Sequence, residues 1–254
     1  MKIIRFEYEG SASFGLLRQG TVTPLSEKNI FQGSFDIRAE TLPLSKIRLL
    51  APSVPSKIVA VGLNYIDHAK ELKMAVPANP VLFIKPSSSV LDPGGDIVWP
   101  PSVGRLDYEA ELAFVIGKTC RNIPAARADE FILGYTCFND VTARDQQEKD
   151  IQWTRAKSYD TFSPFGPWIV TADELDPDNL KIQALVNGEI RQNSSTSLFI
   201  FKVRQLLEFI SSVMTLFPGD VVTTGTPPGV GPVRKGDFVT IRIEKIGELT
   251  NRIV

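Results

Sequence analysis

Asp107-Tyr-Glu-Ala-Glu-Leu-Ala-Phe-Val-Ile-Gly117 reads as a β-strand. Side chains alternate across a strand, so Glu109, Glu111, Ala113 and Val115 share one face and Ala110, Leu112, Phe114 and Ile116 the other. The two carboxylates then lie within roughly 7 Å of each other on an otherwise apolar strand. Left alone they repel, and burial makes both costly to ionise. A divalent cation turns that repulsion into attraction. The same alternation also fits a solvated strand edge with two surface glutamates, and the run by itself leaves both readings open.

The segments around it are of the same kind. Lys57–Gly62, Val81–Lys85 and Phe131–Phe138 are apolar runs. Lys181–Val186 leads into Asn187-Gly188, a strong hairpin signal. Asp220–Thr224, Asp237–Ile243 and a last strand near Glu248–Val254 complete the set. Helices are few. A short one is expected over Asn64–Lys73 and another over Pro124–Phe131, with Pro at its first position. The best is Lys202–Phe217, where Val203, Leu206, Leu207, Ile210, Val213, Met214 and Phe217 keep helical spacing and Pro218-Gly219 stops the chain. Before them, Lys2–Tyr8, Ser13–Leu17 and Gly20–Leu25 read as short strands, and Ala51-Pro-Ser-Val-Pro-Ser56 has linker composition. The expected division is a small β-rich N-terminal domain over residues 1–52 and a catalytic domain over 53–254. No repeat recurs and a parallel βαβ rhythm is absent, which favours a β-rich α+β fold over a doubly wound sheet.

Composition narrows the function. The chain has 254 residues, 28 Lys+Arg against 29 Asp+Glu, and a net charge of −1, so no overall basic bias points to nucleic acid or an anionic membrane. Its longest uncharged stretch, Val221–Val233, is thirteen residues with three Pro and three Gly, which excludes a helical membrane span. Charges in Met1–Glu7 stand where a signal peptide needs an apolar core, so a cytoplasmic protein is expected. Cys120 and Cys137 have neither disulfide-framework nor metal-site spacing and read as small buried thiols.

Further residues gather around the two glutamates. Asp140 ends an apolar run at Asn139-Asp140, where a strand gives way to a loop; it either joins the glutamates or simply forms a turn. Three carboxylates suit a hard cation such as Mg²⁺ or Mn²⁺. The single histidine, His68, is an i, i+3 neighbour of Glu71, and Asn64 is i−4 to it, so a helix places all three on one face. A carboxylate beside an imidazole orients a base, although a lone histidine is also often structural. Downstream, Arg144, Gln147 and Lys157 supply cations and an amide of the kind a 2-oxo carboxylate needs, or two stabilising charges on a surface loop. Thr223-Thr-Gly-Thr-Pro-Pro-Gly-Val-Gly-Pro232 is a rigid loop whose backbone N–H groups and Thr226 hydroxyl suit a carboxylate; it lacks the ending of a phosphate loop.

Taken in order, Gly62-Leu-Asn-Tyr-Ile-Asp-His68, Pro80-Val-Leu-Phe-Ile-Lys-Pro86, Tyr108-Glu-Ala-Glu-Leu112, Asn139-Asp-Val-Thr-Ala-Arg-Asp145, Ala156-Lys-Ser158, Val186-Asn-Gly-Glu189 and Thr224–Pro232 resemble the fumarylacetoacetate hydrolase family. The match runs from about Ile58 to the C-terminus, and the first fifty residues look like an accessory domain. The resemblance implies a mixed β-roll, a homodimer, and Mg²⁺ or Mn²⁺ held by Glu109, Glu111 and Asp140. It further implies that Gln147 and Lys157 contact a small 2-oxo acid substrate, with Thr226 on its carboxylate; Arg144, from the reading of its segment, joins them as a candidate substrate-binding residue. His68 and Glu71 would be a water-activating dyad on a lid helix. A fourth carboxylate ligand of the founding enzyme has no match, so the site looks like that of acylpyruvate hydrolases, oxaloacetate decarboxylases and 2-hydroxyhepta-2,4-diene-1,7-dioate isomerases.

The expected activity is therefore hydrolysis of the C–C bond of an acylpyruvate through a metal-stabilised enolate, with oxaloacetate decarboxylation as a further activity. The alternative is an isomerase or a 5-carboxymethyl-2-hydroxymuconate-type decarboxylase of aromatic catabolism. A non-catalytic family member is the rival from another class, against which the intact set of acidic and basic residues speaks. No nucleic-acid or membrane partner is expected.

Overall fold

The computed structural model describes residues 1–25, 30–32, 40–71 and 75–254. It is strand-rich α+β, as the apolar runs predict. The central strand of the molecule is Ala110–Ile116, buried at every position. It pairs antiparallel with Ile132–Asn139 on one side and with Val221–Thr223 on the other. Burial on both faces explains why its non-acidic positions are all apolar, and excludes the solvated-edge reading of its glutamates.

A 12-stranded sheet extends from this centre. On one side, Val221–Thr223 runs parallel to Ile58–Val61, which pairs with the edge strand Leu82–Lys85. On the other, Ile132–Asn139 pairs with Ser163–Thr171, and that strand pairs with Lys2–Tyr8 (Lys2 opposite Val170, Ile3 opposite Ile169). Ser11–Arg18 and Thr21–Pro24 continue the same sheet. A 5-stranded sheet contains the hairpin Lys181–Val186/Glu189–Ser195, turned at Asn187 and Gly188 with φ of 53° and 83°, together with Phe238–Ile243, Gly247–Ile253 and Asp96–Ile97. A 3-stranded sheet joins Thr142–Ala143, Leu106–Tyr108 and Gly231–Pro232.

Between the two larger sheets lies the main core. Leu112, Phe114 and Ile116 meet Ile182, Ala184, Val239 and Ile241 there. The helix Val203–Val213 closes the core with Val203, Leu206, Leu207 and Ile210, each contributing roughly 1.5–3 kcal/mol of apolar burial. On the opposite face of the large sheet, Ala113 and Val115 pack with Phe138, Phe165, Ile169 and Ile3.

Several elements differ from expectation. The helix expected to reach Phe217 stops at Val213, because Met214 is extended and Leu216 pairs with Cys120. Ala125–Glu130 is a 3₁₀ helix rather than an α-helix. The helix carrying His68 spans Ile66–Glu71, and the expected end at Leu72–Lys73 lies outside the described residues. Asn64 precedes this helix and does not share its face. Its side chain instead donates to the carbonyls of Thr224 (2.8 Å) and Phe201 (3.1 Å) and accepts from Phe201 N–H. Both cysteines are buried free thiols. No helix among the described residues is long and apolar enough to cross a membrane.

Candidate active site

Strand register assembles the acidic cluster. Glu111 stands opposite Phe138 across an antiparallel pair, so Glu109 comes opposite Asp140, and Asp140 N–H donates to the Glu109 carbonyl at 2.9 Å. Asn139 Oδ1 accepts from Glu109 N–H at 3.0 Å, holding the start of the strand. Glu109, Glu111 and Asp140 are all buried, and each offers a carboxylate oxygen within 4.8 Å of the others.

Cations meet two of these acids. Lys157, buried on the short helix Thr154–Lys157, donates to Glu109 Oε2 at 2.8 Å and to Asp140 Oδ2 at 2.6 Å. Arg144 donates to Glu109 Oε1 as well. Burial opposes the charge on Glu109, but Lys157 and Arg144 outweigh it and hold its pKa down to about 2. Burial likewise works against the Lys157 ammonium, and the charges of Asp140 and Glu109 override it and raise its pKa.

Glu111 is the exception. Its Oε2 accepts from Gly225 N–H at 2.8 Å, while the cluster's ion pairs go to Glu109 and Asp140 and none among the described residues reaches Glu111. Burial, then the charges of Asp140 and Glu109, push its pKa well above the usual carboxylate range. A buried carboxylate repelled by two neighbours, in a set made only of oxygen donors, fits a hard divalent cation.

A cavity of about 350 Å³ opens over the cluster. Of the nine residues expected at the site, eight line it: His68, Glu109, Glu111, Asp140, Arg144, Gln147, Lys157 and Thr226. Glu71 is not in the lining. It reaches the cavity through His68, whose Nδ1 lies 2.7 Å from Glu71 Oε2, and its other oxygen accepts from Gly229 N–H at 3.2 Å. With Nδ1 so engaged, Nε2 is the ring nitrogen left for chemistry. Val61, Leu63, Phe83 and Trp153 form the apolar wall, the two aromatic rings meeting edge to face at 5.4 Å.

Two expected substrate contacts are redrawn by the geometry. The Thr226 hydroxyl donates its one proton to the Ala110 carbonyl (2.9 Å) and accepts from Gln192 Nε2 (2.9 Å), so that hydroxyl is not a donor to a substrate carboxylate here. Each nitrogen of Arg144 is engaged too, with Nε on Asp107 (2.9 Å), Nη2 on Glu109 and Nη1 on Gln147. It braces the cluster rather than presenting a free fork.

Sequence reading passed over three buried residues. Lys85 donates to Asp140 Oδ1 and to the Phe162 carbonyl. Asp107 takes both Arg105 and Arg144. Gln192, the buried position in a mostly exposed strand, holds Thr226, Pro227 O and Ala110 N–H. A lysine within the apolar run Leu82-Phe-Ile-Lys85 was the one signal available.

An α+β fold with carboxylates converging from neighbouring strands beside a histidine–glutamate pair defines a class of acid-centred enzymes. Residues 57–254 match the fumarylacetoacetate (FAA) hydrolase C-terminal family and residues 1–52 an Rv2993c-like N-terminal family, and the chain belongs to the fumarylacetoacetate hydrolase family. Oxaloacetate tautomerase FAHD2A, mitochondrial, of Bos taurus is 40% identical over 263 residues, 99% of this chain and 79% of that protein. The structure of 5-carboxymethyl-2-hydroxymuconate delta-isomerase from Mycobacterium smegmatis is 45% identical, with a TM-score of 0.94 over 100% of this chain and 99% of that one. Maleylpyruvate hydrolase from Sphingobium sp. SYK-6, solved with manganese(II) and pyruvate, is 30% identical with a TM-score of 0.84, covering 100% and 99%. The resemblance carried by the motifs is thus borne out, and the relatives' names span tautomerase, isomerase and hydrolase.

Proposed function

We propose that the chain is a divalent-metal-dependent enzyme that moves a proton on a small 2-oxo acid, interconverting the keto and enol forms of an oxaloacetate-type diacid. The observation that carries this reading is one cavity holding both His68, oriented through Nδ1 by Glu71, and the triad Glu109, Glu111 and Asp140. Mg²⁺ or Mn²⁺ held by the triad would supply a Lewis acid for the 2-oxo oxygen. Lys85, Lys157 and Arg144 pair with Asp140 and Glu109, so a divalent ion beside Glu111 would give the inner cluster the surplus positive charge that attracts an acid.

The chain's own groups supply the rest. Lys157 has a third ammonium hydrogen beyond the two bound to Glu109 and Asp140, available to the negative charge that develops on the substrate. Gln147 lines the cavity with its oxygen held by Arg144, which leaves its amide hydrogens as donors. His68 Nε2 accepts the proton from C3; the C3–H electron pair moves into the C2–C3 bond and the 2-oxo oxygen takes the charge. Return of the proton to that oxygen gives the enol. Phe83 and Trp153 limit water around the reacting atoms.

Similarity to the Bos taurus tautomerase over nearly the whole chain supports this order of preference. Hydrolysis of an acylpyruvate, in which the same imidazole takes its proton from water, is the second reading, supported by the maleylpyruvate hydrolase likeness. Proton NMR in D₂O separates them. With Mg²⁺ or Mn²⁺, the protein is expected to hasten keto–enol conversion of oxaloacetate and deuterium entry at C3, and EDTA to stop both. Cleavage of acylpyruvate without such exchange would move the assignment to hydrolysis, and the absence of chelator-sensitive change in any 2-oxo acid would overturn the metal reading.

A further inference from the structure

Lys85 ends the edge strand Leu82–Lys85 and is wholly buried. Its backbone is fixed by pairing with Ile58 and by Pro86, which opens the turn Ser87–Ser89. Ser89 Oγ locks that turn, lying 2.6 Å from the Pro86 carbonyl and 2.7 Å from Ser163 Oγ. From this rigid base the side chain crosses to the strand end at Asp140. There Nζ donates to Asp140 Oδ1 and, at 2.9 Å, to the Phe162 carbonyl. Asp140 Oδ2 instead accepts from Lys157 Nζ at 2.6 Å, and the same ammonium donates to Glu109 Oε2.

We infer that Lys85 is a positioning residue for the metal site: it holds Oδ1 of Asp140 so that Oδ2 alone is turned to the triad. Two opposed effects make the role testable. By charge alone, a lysine against a ligand carboxylate repels an incoming cation, so its removal should tighten metal binding. As a positioning group it fixes the carboxylate, and loss of such outer partners weakens metal affinity by about 10–100-fold. The geometry favours the second effect, since the ammonium has two fixed acceptors and Lys85 itself does not line the cavity.

The inference rests on the metal reading, and the experiment keeps the two apart. Mn²⁺ is titrated into the purified protein and into Lys85→Met, which keeps length and removes charge, with free Mn²⁺ followed by electron paramagnetic resonance. Lys57→Met is the control, breaking the Lys57–Asp220 pair away from the site. Wild-type protein that takes up no Mn²⁺ refutes the metal reading itself. If wild type binds, Lys85→Met is expected to raise the Mn²⁺ Kd about tenfold or more, while Lys57→Met lowers melting temperature but keeps the wild-type Kd. A smaller rise, no change or tighter binding in Lys85→Met overturns the inference and leaves the metal site standing. Should the methionine variant not fold, Lys85→Gln is read by the same criterion.

Discussion

His68 is the group through which the proposed proton transfer passes, and Glu71 acts only through it. Replacing His68 with Gln keeps a polar side chain in the cavity but removes the base. Turnover is expected to fall by about 10²–10⁴, the usual worth of a general base, while Mn²⁺ affinity stays at the wild-type level because His68 is not among the triad. A loss of metal binding in His68→Gln would show that the histidine is a ligand instead. At this scale, what the sequence revealed followed from period. Glu109 and Glu111 sit two apart on a strand and Glu71 sits three after His68, so one dihedral pattern places each pair. Lys85, Asp107 and Gln192 carry no such local mark. Apart from Arg105 beside Asp107, their partners come from segments far along the chain, and only the folded register shows that a lysine in an apolar strand has Asp140 to meet.

The loop after Val221–Thr223 is the element that joins the acidic strand to the candidate substrate cavity. Gly225 has φ of +86°, and a Cβ there would stand 2.8 Å from the Gly62 carbonyl and 2.9 Å from Asn64 Cβ, while its N–H holds Glu111. Gly225→Ala therefore adds left-handed strain of roughly 1–2 kcal/mol to a close approach between two backbones. A melting temperature lower by several degrees and a raised KM are expected, read by calorimetry and initial rates. A wild-type KM would show that this loop does not position the substrate. Most strands were legible because apolar runs and turn residues bounded them. Ser163–Thr171 was not, since Ser-Pro-Phe-Gly-Pro carries the marks of a loop, yet its backbone pairs with both Ile132–Asn139 and Lys2–Tyr8. The long helix was overextended for a related reason: its apolar period continues past Val213, but pairing of Leu216 with Cys120 takes the chain instead.

Across the whole molecule, one sheet runs from the N-terminal strands to the strand that carries Lys85, and the Pro/Ser segment before Lys57 is tied into it. Asp220, at the start of Val221–Thr223, makes that tie. Its Oδ1 accepts from Ser56 N–H and Oγ (3.0 and 2.6 Å), and its Oδ2 from Lys57 Nζ (2.5 Å) and Phe217 N–H (2.9 Å). Ser53 Oγ adds a bond to the Gly219 carbonyl at 2.8 Å. Such long-range ties leave no periodic trace in sequence; composition shows only a segment rich in Pro and Ser. Burial opposes the charge on Asp220, but the bonds from Lys57, Ser56 and Phe217 prevail and lower its pKa below the usual aspartate value. A carboxylate whose pKa falls on folding stabilises the folded state fully above the unfolded value of about 3.9 and loses that contribution as pH drops through the lower folded value. Asp220→Asn is therefore expected to cost about 3 kcal/mol at neutral pH, the low end for breaking a buried pair, and to show a flatter loss of stability below about pH 4 than wild type. Urea unfolding at neutral and at acid pH measures both. A gap that stays the same at the two pH values would mean that the Asp220 charge does not hold the segment to the sheet, and that the joint depends on packing alone.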